Sequence, residues 1–480
     1  MCGRYDEQPM RPFALFASLA FAATSALAGL QQEIGSAITA AGYEARVVSV
    51  AVLNCDSGSL VAGIASSTPR IPASNQKLLT SGLAARELGR DFQFQTQLLQ
   101  RGKDLIVAGD GDPALGDEVL LADMRLPDGS KLTATGLLDI WANAAKEAGV
   151  THVDSLIVDD RVFDRDWRAA GWPTDQLQWW YCAPLSGLNF SCNTITFRIK
   201  PGDGRVIVNS SPPWGGARVV NKLKPAKSGH VVHASHDQLR GEIELKGKIV
   251  KDATLELCVE SPPTSFGLML ADRLTRVGIT VDRVRLAAAE DPPPAGTPVA
   301  PAIVTSLETV MRRCNHDSYN LYADAMLKRI AHERTGRPGS WKEGSRILTR
   351  AVELVTGTDT GLQIADGGGM SRLNSISART MTQWLCSFDS SNVNDAFFIN
   401  SISRPGEGKL AQRFKSVDLH GAEVRAKTGY IRDVYTMSGY VTCNDGTRYA
   451  FSILINGARG NRNPKSLQER IVAIIAAQGC

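Results

Sequence analysis

Three short stretches of the chain, taken in order, predict both its fold and its chemistry. Ser74 to Lys77 reads SNQK, Ser318 to Asn320 reads SYN, and Lys427 to Gly429 reads KTG. Residues three apart on a helix share a face, so the Ser74 hydroxyl and the Lys77 amine can approach each other. A serine hydroxyl attacks only when a base accepts its proton, and a lysine serves if its neutral form is favoured. The first stretch therefore predicts a serine nucleophile with a lysine base.

The second and third stretches supply polar side chains that such a pair needs. The Ser318 hydroxyl can relay a proton toward a leaving group, and the Asn320 amide can donate to Lys77 and to a substrate carbonyl. Lys427 and Thr428 fall in a strand-like run and offer an ammonium and a hydroxyl to a substrate carboxylate. Together these side chains outline a serine acyl-transfer site that uses a lysine in place of a histidine.

Backbone groups beside the third stretch are expected to stabilise an oxyanion. Gly429 has no side chain, so a substrate can lie close to the backbone there. The N–H groups of Ser74 and Tyr430 are the expected oxyanion donors. Tyr430 therefore enters the candidate site through its backbone rather than through its ring.

The order S-x-x-K, S-x-N and K-T-G is the signature of penicillin-binding proteins and class A β-lactamases. With the long segment between Ser74 and Ser318, the chain resembles the D-alanyl-D-alanine carboxypeptidase/endopeptidase family of serine peptidases, the low-molecular-mass class C penicillin-binding proteins. It departs from the family pattern at Tyr319, Gly368 and Met370, where the family usually has Asp, Ser and Leu. Further stretches that carry the resemblance are Gly109 to Pro113, Gly171 with Trp172, Tyr181 to Pro184, Asp366 to Arg372, and Gly406 to Leu410.

The resemblance implies an α/β (α+β) fold, namely a penicillin-binding-protein/β-lactamase-like transpeptidase domain. An antiparallel sheet flanked by helices is expected, with a large, mainly-β insertion. Strand-like runs at 424–428, 436–441 and 449–455 precede a final helical pattern, and they mirror the pattern near the N-terminus. We therefore expect a discontinuous catalytic domain formed by residues 29–100 and 290–480. Residues 101–289 form the expected insertion, with a nested subdomain at about 190–255.

The resemblance also implies a function. The protein is expected to cleave D-Ala-D-Ala or cross-link peptides of peptidoglycan through an acyl-enzyme on Ser74, and to bind β-lactam antibiotics covalently. No metal or other cofactor is implied. The alternatives are a β-lactamase, or a catalytically silent protein that binds peptidoglycan. The sequence leaves open the oligomeric state and the balance between carboxypeptidase and endopeptidase activity.

Asp159 is a further candidate that the resemblance suggests. In the family, an acid of the insertion contacts the ammonium of the diamino acid in the stem peptide, and Asp159 occupies the corresponding stretch. A carboxylate is chemically suited to a cationic substrate group. A solvated turn residue is the alternative reading of the same position.

The N-terminus has the pattern of a secretory signal. Arg11 and Pro12 precede an apolar stretch at 13–23, and Ala26 to Ala28 supplies a small-x-small cleavage site. Residues 1–28 are therefore the expected signal peptide, with Met10 as an alternative start, and the mature protein is expected in the periplasm. No later stretch approaches the roughly 18 to 20 apolar residues that a membrane-spanning helix needs.

Composition and charge argue against some classes of ligand. With 53 Lys and Arg against 49 Asp and Glu, the net charge of +4 is dispersed and gives no basic patch for nucleic acid. His230, His233 and His236 would not converge on a strand, because a spacing of three places neighbours on opposite faces. No metal site is therefore expected. Beyond the leader eight cysteines remain, and Cys182 with Cys192, which flank one loop-like segment, is the candidate disulfide.

Overall fold

A computed structural model describes residues 29–212, 218–237, 242–357, 361–460 and 462–480. The expected signal peptide, residues 1–28, lies outside the described residues. The strands, in chain order, are β1 (Val48–Asn54), β2 (Leu60–Ile64), β3 (Pro69–Arg70), β4 (Gln93–Arg101), β5 (Asp104–Ala108), β6 (His152–Val153), β7 (Leu156–Asp159), β8 (Thr194–Pro201), β9 (Val206–Ser211), β10 (Arg218–Pro225), β11 (Val231–Asp237), β12 (Glu242–Ile249), β13 (Ala253–Cys258), β14 (Thr280–Val281), β15 (Val284–Leu286), β16 (Thr297–Pro298), β17 (Ile303–Ser306), β18 (Ile376–Ser377), β19 (Glu423–Ile431), β20 (Val434–Thr442) and β21 (Arg448–Asn456).

The helices cover the faces of the larger sheets. In the part of the chain that the structure describes, none is long and apolar enough to cross a membrane. They are α1 (29–40), α2 (Gln76–Glu87), α3 (Glu118–Leu121), α4 (Ala134–Glu147), α5 (Pro262–Arg276), α6 (Leu307–His316), α7 (Asn320–Thr335), α8 (Trp341–Thr356), α9 (Ala378–Cys386), α10 (Val393–Asn400) and α11 (Pro464–Gly479).

The two ends of the described chain build one antiparallel sheet. Its strand order is β19-β20-β21-β1-β2, so the first strand of the chain lies beside the last. Strand β1 is buried along almost its whole length, because helices cover both faces of the sheet. On one face Ile34 of α1 and Ile471 of α11 pack against Val50 and Ile453. The predicted antiparallel sheet flanked by helices is confirmed.

Helices α2 and α7 pack against each other on the other side of this sheet. Both are buried around most of their circumference, with polar as well as apolar side chains, so neither sequence shows a one-sided apolar stripe. Leu79 and Leu83 of α2 share one core with Tyr322 and Met326 of α7. This contact brings the first and second motifs together, because Lys77 and Asn320 lie in the first turns of the two helices.

The segment between the first two motifs forms further sheets. Strands β15-β7-β5-β4-β16 make a mixed sheet, with β17 also paired to β4, and helices α4 and α5 pack against it through Trp141 and Phe266. Two smaller sheets, β13-β8-β9 and β10-β12-β11, share a core around Phe197 and Leu245. These smaller sheets fall where a nested subdomain was expected.

Strand pairing gives wider limits for the insertion than the sequence suggested. Strand β4 begins eight residues before the expected boundary at residue 101, and β16 and β17 lie after the one at 289, yet all three belong to the insertion's sheet. The division into domains stays a prediction. We propose, from this pairing, that the inserted unit runs from about Gln93 to Ser306.

The predicted disulfide between Cys182 and Cys192 is wrong. Both thiols are free and buried. Cys182 ends a short 3-10 turn, whereas Cys192 lies in another turn, where burial and the neighbouring Asp117 carboxylate raise the pKa of its thiol. The disulfides instead join Cys55 to Cys386, whose Cα atoms are 4.8 Å apart, and Cys443 to Cys480, at 5.1 Å. The prediction paired two cysteines that are close in sequence, whereas the bonded partners come from different elements of the fold.

The bond between Cys443 and Cys480 ties the end of α11 to the sheet and should contribute to stability. It joins residues 37 apart in sequence, so its removal is expected to cost roughly 3 to 4 kcal/mol of unfolding free energy through lost constraint on the unfolded chain. The double variant Cys443→Ser with Cys480→Ser should melt at a lower temperature than the parent. Peptide mapping without reductant should recover the two linked pairs, and a linked Cys182–Cys192 peptide would contradict the assignment.

Candidate active site

Ser74 lies at the junction between a short 3-10 turn, Ala73–Asn75, and helix α2. Ala73 has a φ of +47°, in the left-handed region that a residue with a side chain rarely adopts. Such strain persists only where the surrounding structure imposes it, and it is common at functional sites. The turn places the Ser74 hydroxyl at the N-terminal end of α2, where the helix dipole favours negative charge.

Lys77 is fully buried and contacts groups from three parts of the chain. Its Nζ donates to Ser74 Oγ at 3.0 Å, to Asn320 Oδ1 at 2.6 Å and to the backbone carbonyl of Gly368. Burial lowers the pKa of Lys77, because it disfavours the ammonium; Cys314 and the carboxyl groups of Asp324 and Asp366 oppose that shift. The arrangement fits the predicted contact between a nucleophile and its base.

The second motif lies in the connection between α6 and α7. Ser318 has a φ of +64°, and Asn320 begins α7. The oxygen of the Asn320 amide accepts from Lys77, and its nitrogen donates to the backbone carbonyl of Tyr181 at 2.7 Å. The amide thus faces Lys77 with its oxygen rather than with the donor that the sequence suggested. One of its two N–H groups is used by Tyr181, and a substrate carbonyl could take the other.

The third motif joins the second through Lys427. This side chain is buried on β19, and its Nζ donates to Ser318 Oγ at 2.7 Å and to the carbonyl of Thr428 at 2.8 Å. Burial, reinforced by the neighbouring Lys77 cation, holds the pKa of Lys427 well below its usual value. The two lysines therefore lie in one buried region, and the charge of Lys77 disfavours the ammonium form of Lys427.

Gly429 lies where no side chain fits. A Cβ there would lie 2.1 Å from Thr436 Oγ1 and 2.9 Å from the backbone nitrogen of Ser74. Strand β19 therefore approaches the nucleophile closely, as an oxyanion site between Ser74 and Tyr430 requires. Asn75 fixes this approach: with its amide oriented to satisfy both of its groups, it donates to the carbonyl of Lys427 at 2.9 Å.

A cavity of about 440 Å³ opens onto these groups. Ser74, Ser318, Asn320, Thr428 and Tyr430 line it, so the structure brings most of the predicted site residues to one surface. Its remaining walls come from Gln176, Trp180, Tyr181, Asp317, Gly369, Met370, Lys409, Ile431 and Arg432. The exposed ring of Tyr430 packs beside Tyr435, with ring centroids 4.9 Å apart.

Asp159 does not join this group of residues. It is buried at the end of β7, and Arg161 Nη2 donates to its Oδ2 at 2.6 Å. It lines a different cavity, of about 810 Å³, which also contains Asp110 and Arg329 and which Ser74 does not line. The role suggested for Asp159 in substrate recognition therefore stays a prediction, and its charge is already paired.

Tyr319, the unusual residue of the second motif, turns away from the cavity. Its ring lies 5.0 Å from that of Trp180 and 5.7 Å from that of Tyr322, and the Arg313 guanidinium lies over it at 5.1 Å. Arg313 in turn donates to the buried carboxylate of Asp117 at 2.8 Å. An aromatic and cationic cluster therefore supports the Ser318 turn from behind.

Two buried acids near Lys77 were missed as functional candidates. Asp324 lies one turn after Asn320 on α7, and Asp366 begins the glycine-rich loop that was singled out only as a family motif. A signal for Asp324 was present, because residues four apart on a helix share a face. Its burial beside Lys77, however, depends on how α7 packs against α2.

Comparisons with known proteins agree with this geometry. A family model described as D-Ala-D-Ala carboxypeptidase 3 (S13) matches residues 30–478. The D-alanyl-D-alanine carboxypeptidase of Actinomadura sp. (strain R39) is 28% identical over 506 residues, covering 98% of this chain and 89% of that protein. D-alanyl-D-alanine carboxypeptidase DacB of Haemophilus influenzae is 24% identical over 424 residues, covering 84% of each.

Solved structures show the same fold. The crystal structure of penicillin binding protein 4 (dacB) from Haemophilus influenzae matches with a TM-score of 0.73 at 22% identity, covering 90% of this chain and 95% of that one. A second structure of that protein, complexed with a β-lactam, has a TM-score of 0.70 at 21% identity over the same shares. The match of one family model to nearly the whole chain confirms the resemblance and the serine-peptidase prediction: the chain belongs to the D-Ala-D-Ala carboxypeptidase 3 (S13) family.

Proposed function

We propose that this serine peptidase cleaves the D-Ala-D-Ala ends, or the cross-link peptides, of peptidoglycan through an acyl-enzyme on Ser74. The observation that supports this most directly is the buried Lys77 amine, 3.0 Å from Ser74 Oγ and held by Asn320. A lysine at that distance with a lowered pKa has the position and the chemistry of a general base.

In the acylation step, neutral Lys77 accepts the Ser74 proton while Ser74 Oγ attacks the carbonyl carbon of the penultimate residue. The oxyanion that forms is stabilised by the N–H groups of Ser74 and Tyr430. The peptide C–N bond then breaks, and the Lys77 ammonium returns its proton through the Ser318 hydroxyl to the leaving amine, which leaves Lys77 neutral. Contact between Lys427 and Ser318 orients that hydroxyl for the transfer.

Deacylation reverses the proton flow. A water molecule loses a proton to Lys77 as it attacks the ester, and Ser74 regains a proton when it leaves. Lys427 and Thr428 hold the terminal carboxylate of a carboxypeptidase substrate, or an equivalent polar group in endopeptidase action. Asn320 donates to the substrate carbonyl with the N–H that Tyr181 leaves free, and Asp159 remains a candidate contact for a cationic stem-peptide group.

The cellular setting follows from the same proposal. Peptidoglycan lies outside the cytoplasmic membrane, so an enzyme that acts on it is exported, as the sequence of residues 1–28 predicts. The two disulfides support a periplasmic location, because such bonds persist in oxidising compartments. β-Lactams are the proposed inhibitors, since their amide and carboxylate resemble the peptide and the related Haemophilus influenzae protein has been crystallised with one.

Removal of the nucleophile tests the acyl-enzyme. After incubation with penicillin, the intact mass of the wild-type protein should increase by one penicillin, and Ser74→Ala should show no increase while it melts like the parent. Adduct on the alanine variant would contradict the assignment of Ser74. Rapid and complete turnover of a chromogenic cephalosporin would favour a β-lactamase, and binding of muropeptides without any adduct would favour a silent binding protein.

The lowered pKa of Lys77 predicts the position of the acidic limb of the pH profile. Hydrolysis of a D-Ala-D-Ala peptide should increase as pH rises through the pKa of Lys77, whose neutral form is the base. This limb should lie below the usual pKa of lysine, because burial lowers the value. Lys77→Arg stays charged and should reduce kcat/KM by about 10²- to 10⁴-fold. Arginine-variant activity equal to wild type would contradict the role of Lys77.

The close approach of β19 to the nucleophile gives a separate test. Gly429→Ala should reduce penicillin acylation by about a hundredfold or more, because the added methyl group meets Thr436 and the Ser74 nitrogen and displaces an oxyanion donor. Gly35→Ala is the matched control, since a Cβ there would find its nearest neighbour 4.0 Å away. Equal acylation by the two variants would show that the backbone at Gly429 does not serve the oxyanion.

A further inference from the structure

The proposed mechanism requires Lys77 to change its charge while it is buried away from solvent. When it accepts the Ser74 proton it becomes an ammonium that is fully buried. An isolated buried ammonium is costly, so some group nearby must stabilise it as it forms. Its hydrogen-bond acceptors, Ser74, Asn320 and the Gly368 carbonyl, are all uncharged. A negatively charged group that stabilises the ammonium must therefore lie beyond these acceptors, without a direct hydrogen bond to the Lys77 amine.

Two carboxyl groups lie behind these acceptors, and Asp366 has a clear structural role. It accepts hydrogen bonds from the backbone nitrogens of Gly369 and Ser371 and from Trp172 Nε1 and Asn374 Nδ2, at 2.7 to 2.8 Å. The Gly369 N–H and the Gly368 carbonyl belong to one peptide group. Asp366 therefore orients the carbonyl that receives Lys77, and its two oxygens are fully engaged.

Asp324 differs from Asp366 in how its oxygens are used. Its Oδ1 accepts from the backbone nitrogens of Gly367 at 2.9 Å and Gly368 at 2.8 Å. Its Oδ2 is buried and has no hydrogen-bond partner among the residues that the structure describes. A fully buried carboxyl with one unpartnered oxygen is expensive to keep unless it interacts with a nearby charge. Lys77 is the cation that supplies this interaction.

The surrounding charges make Lys77 and Asp324 depend on each other. Burial and the negative charge of Asp366 raise the pKa of Asp324, and Lys77 with the two loop N–H groups lowers it. Asp324 in turn raises the pKa of Lys77 against the effect of burial. The other titratable groups that interact electrostatically with this pair are the Cys314 and Cys182 thiols, Lys427, and Lys328, which is bound to Asp164.

We propose that Asp324 is a positioning residue for the reaction: its carboxylate fixes the Gly367–Gly368 backbone and stabilises the ammonium that Lys77 becomes. It does not touch the substrate, and the Ser74 proton stays on Lys77 rather than passing to Asp324. Asp324 thus acts on a lysine base as the third member of a serine-protease triad acts on a histidine. The inference rests on the proposed acylation of Ser74.

A side chain at position 368 would change the surroundings of the Asp324 carboxylate. A Cβ at Gly368 would lie 3.2 Å from Asp324 Oδ2 and 3.1 Å from Asn320 Cβ. A serine at this position would bring a hydroxyl within reach of the unpartnered oxygen. Gly368 supplies no such donor, so the charge of Asp324 depends more strongly on Lys77.

The test is the pH dependence of acylation by labelled penicillin. Asp324→Asn keeps an acceptor for the loop N–H groups but removes the charge, so the pKa of Lys77 should decrease. We expect the acidic limb to move down by about one pH unit or more, and the plateau rate to decrease about tenfold because Lys77 becomes a weaker base. Asp324→Glu retains the charge and should keep the wild-type limb. A merely structural role would lower the rate at every pH and leave the limb in place.

A second variant decides the matter if Asp324→Asn fails to fold. Gly368→Ser keeps Asp324 and gives Oδ2 a donor, which stabilises the carboxylate and should move the acidic limb upward. Acidic limbs that coincide with wild type in every folded variant would overturn the role of Asp324. Failure of the proposed function would look different, because wild-type protein would then form no adduct at any pH.

Discussion

The burial of the Lys77 amine is the constraint on which the rest of the site depends. Burial at this position lowers the pKa of the lysine, and each proton of the amine requires a hydrogen-bond acceptor. Ser74, Asn320 and Gly368 supply those acceptors from three separate segments. The packing of α2 against α7 is therefore a chemical requirement as well as a structural one, since it creates the environment in which a lysine can act as a base.

The insertion contributes to this environment from a distance. Trp172 reaches out of the inserted segment to Asp366, and the carbonyl of Tyr181 holds the Asn320 amide. Asp117 of the same segment anchors Arg313 beneath the Ser318 turn. This segment therefore contributes hydrogen bonds that orient Asn320, Asp366 and Arg313 around the candidate site.

Much of the fold and of the candidate site could be predicted from the sequence. Strands β19, β20 and β21 lie at the strand-like runs of the sequence, and many of their residues are buried in the core. Asp324 and the disulfide partners could not be predicted, because their significance depends on contacts between segments far apart in sequence. Cys182 and Cys192 were paired for their closeness in the chain, yet covalent geometry depends on closeness in space.

The sequence by itself determined which atoms can react. Ser74, Lys77 and Lys427 supply the proposed nucleophile and the amines, because these functional groups belong to the side-chain type and the motif order indicates the family. Only the tertiary structure decided the charge state and neighbours of those atoms. Desolvation depends on burial, and electrostatic interaction depends on distance. Both are set by the packing of α2, α7 and the Asp366 loop around the Lys77 amine.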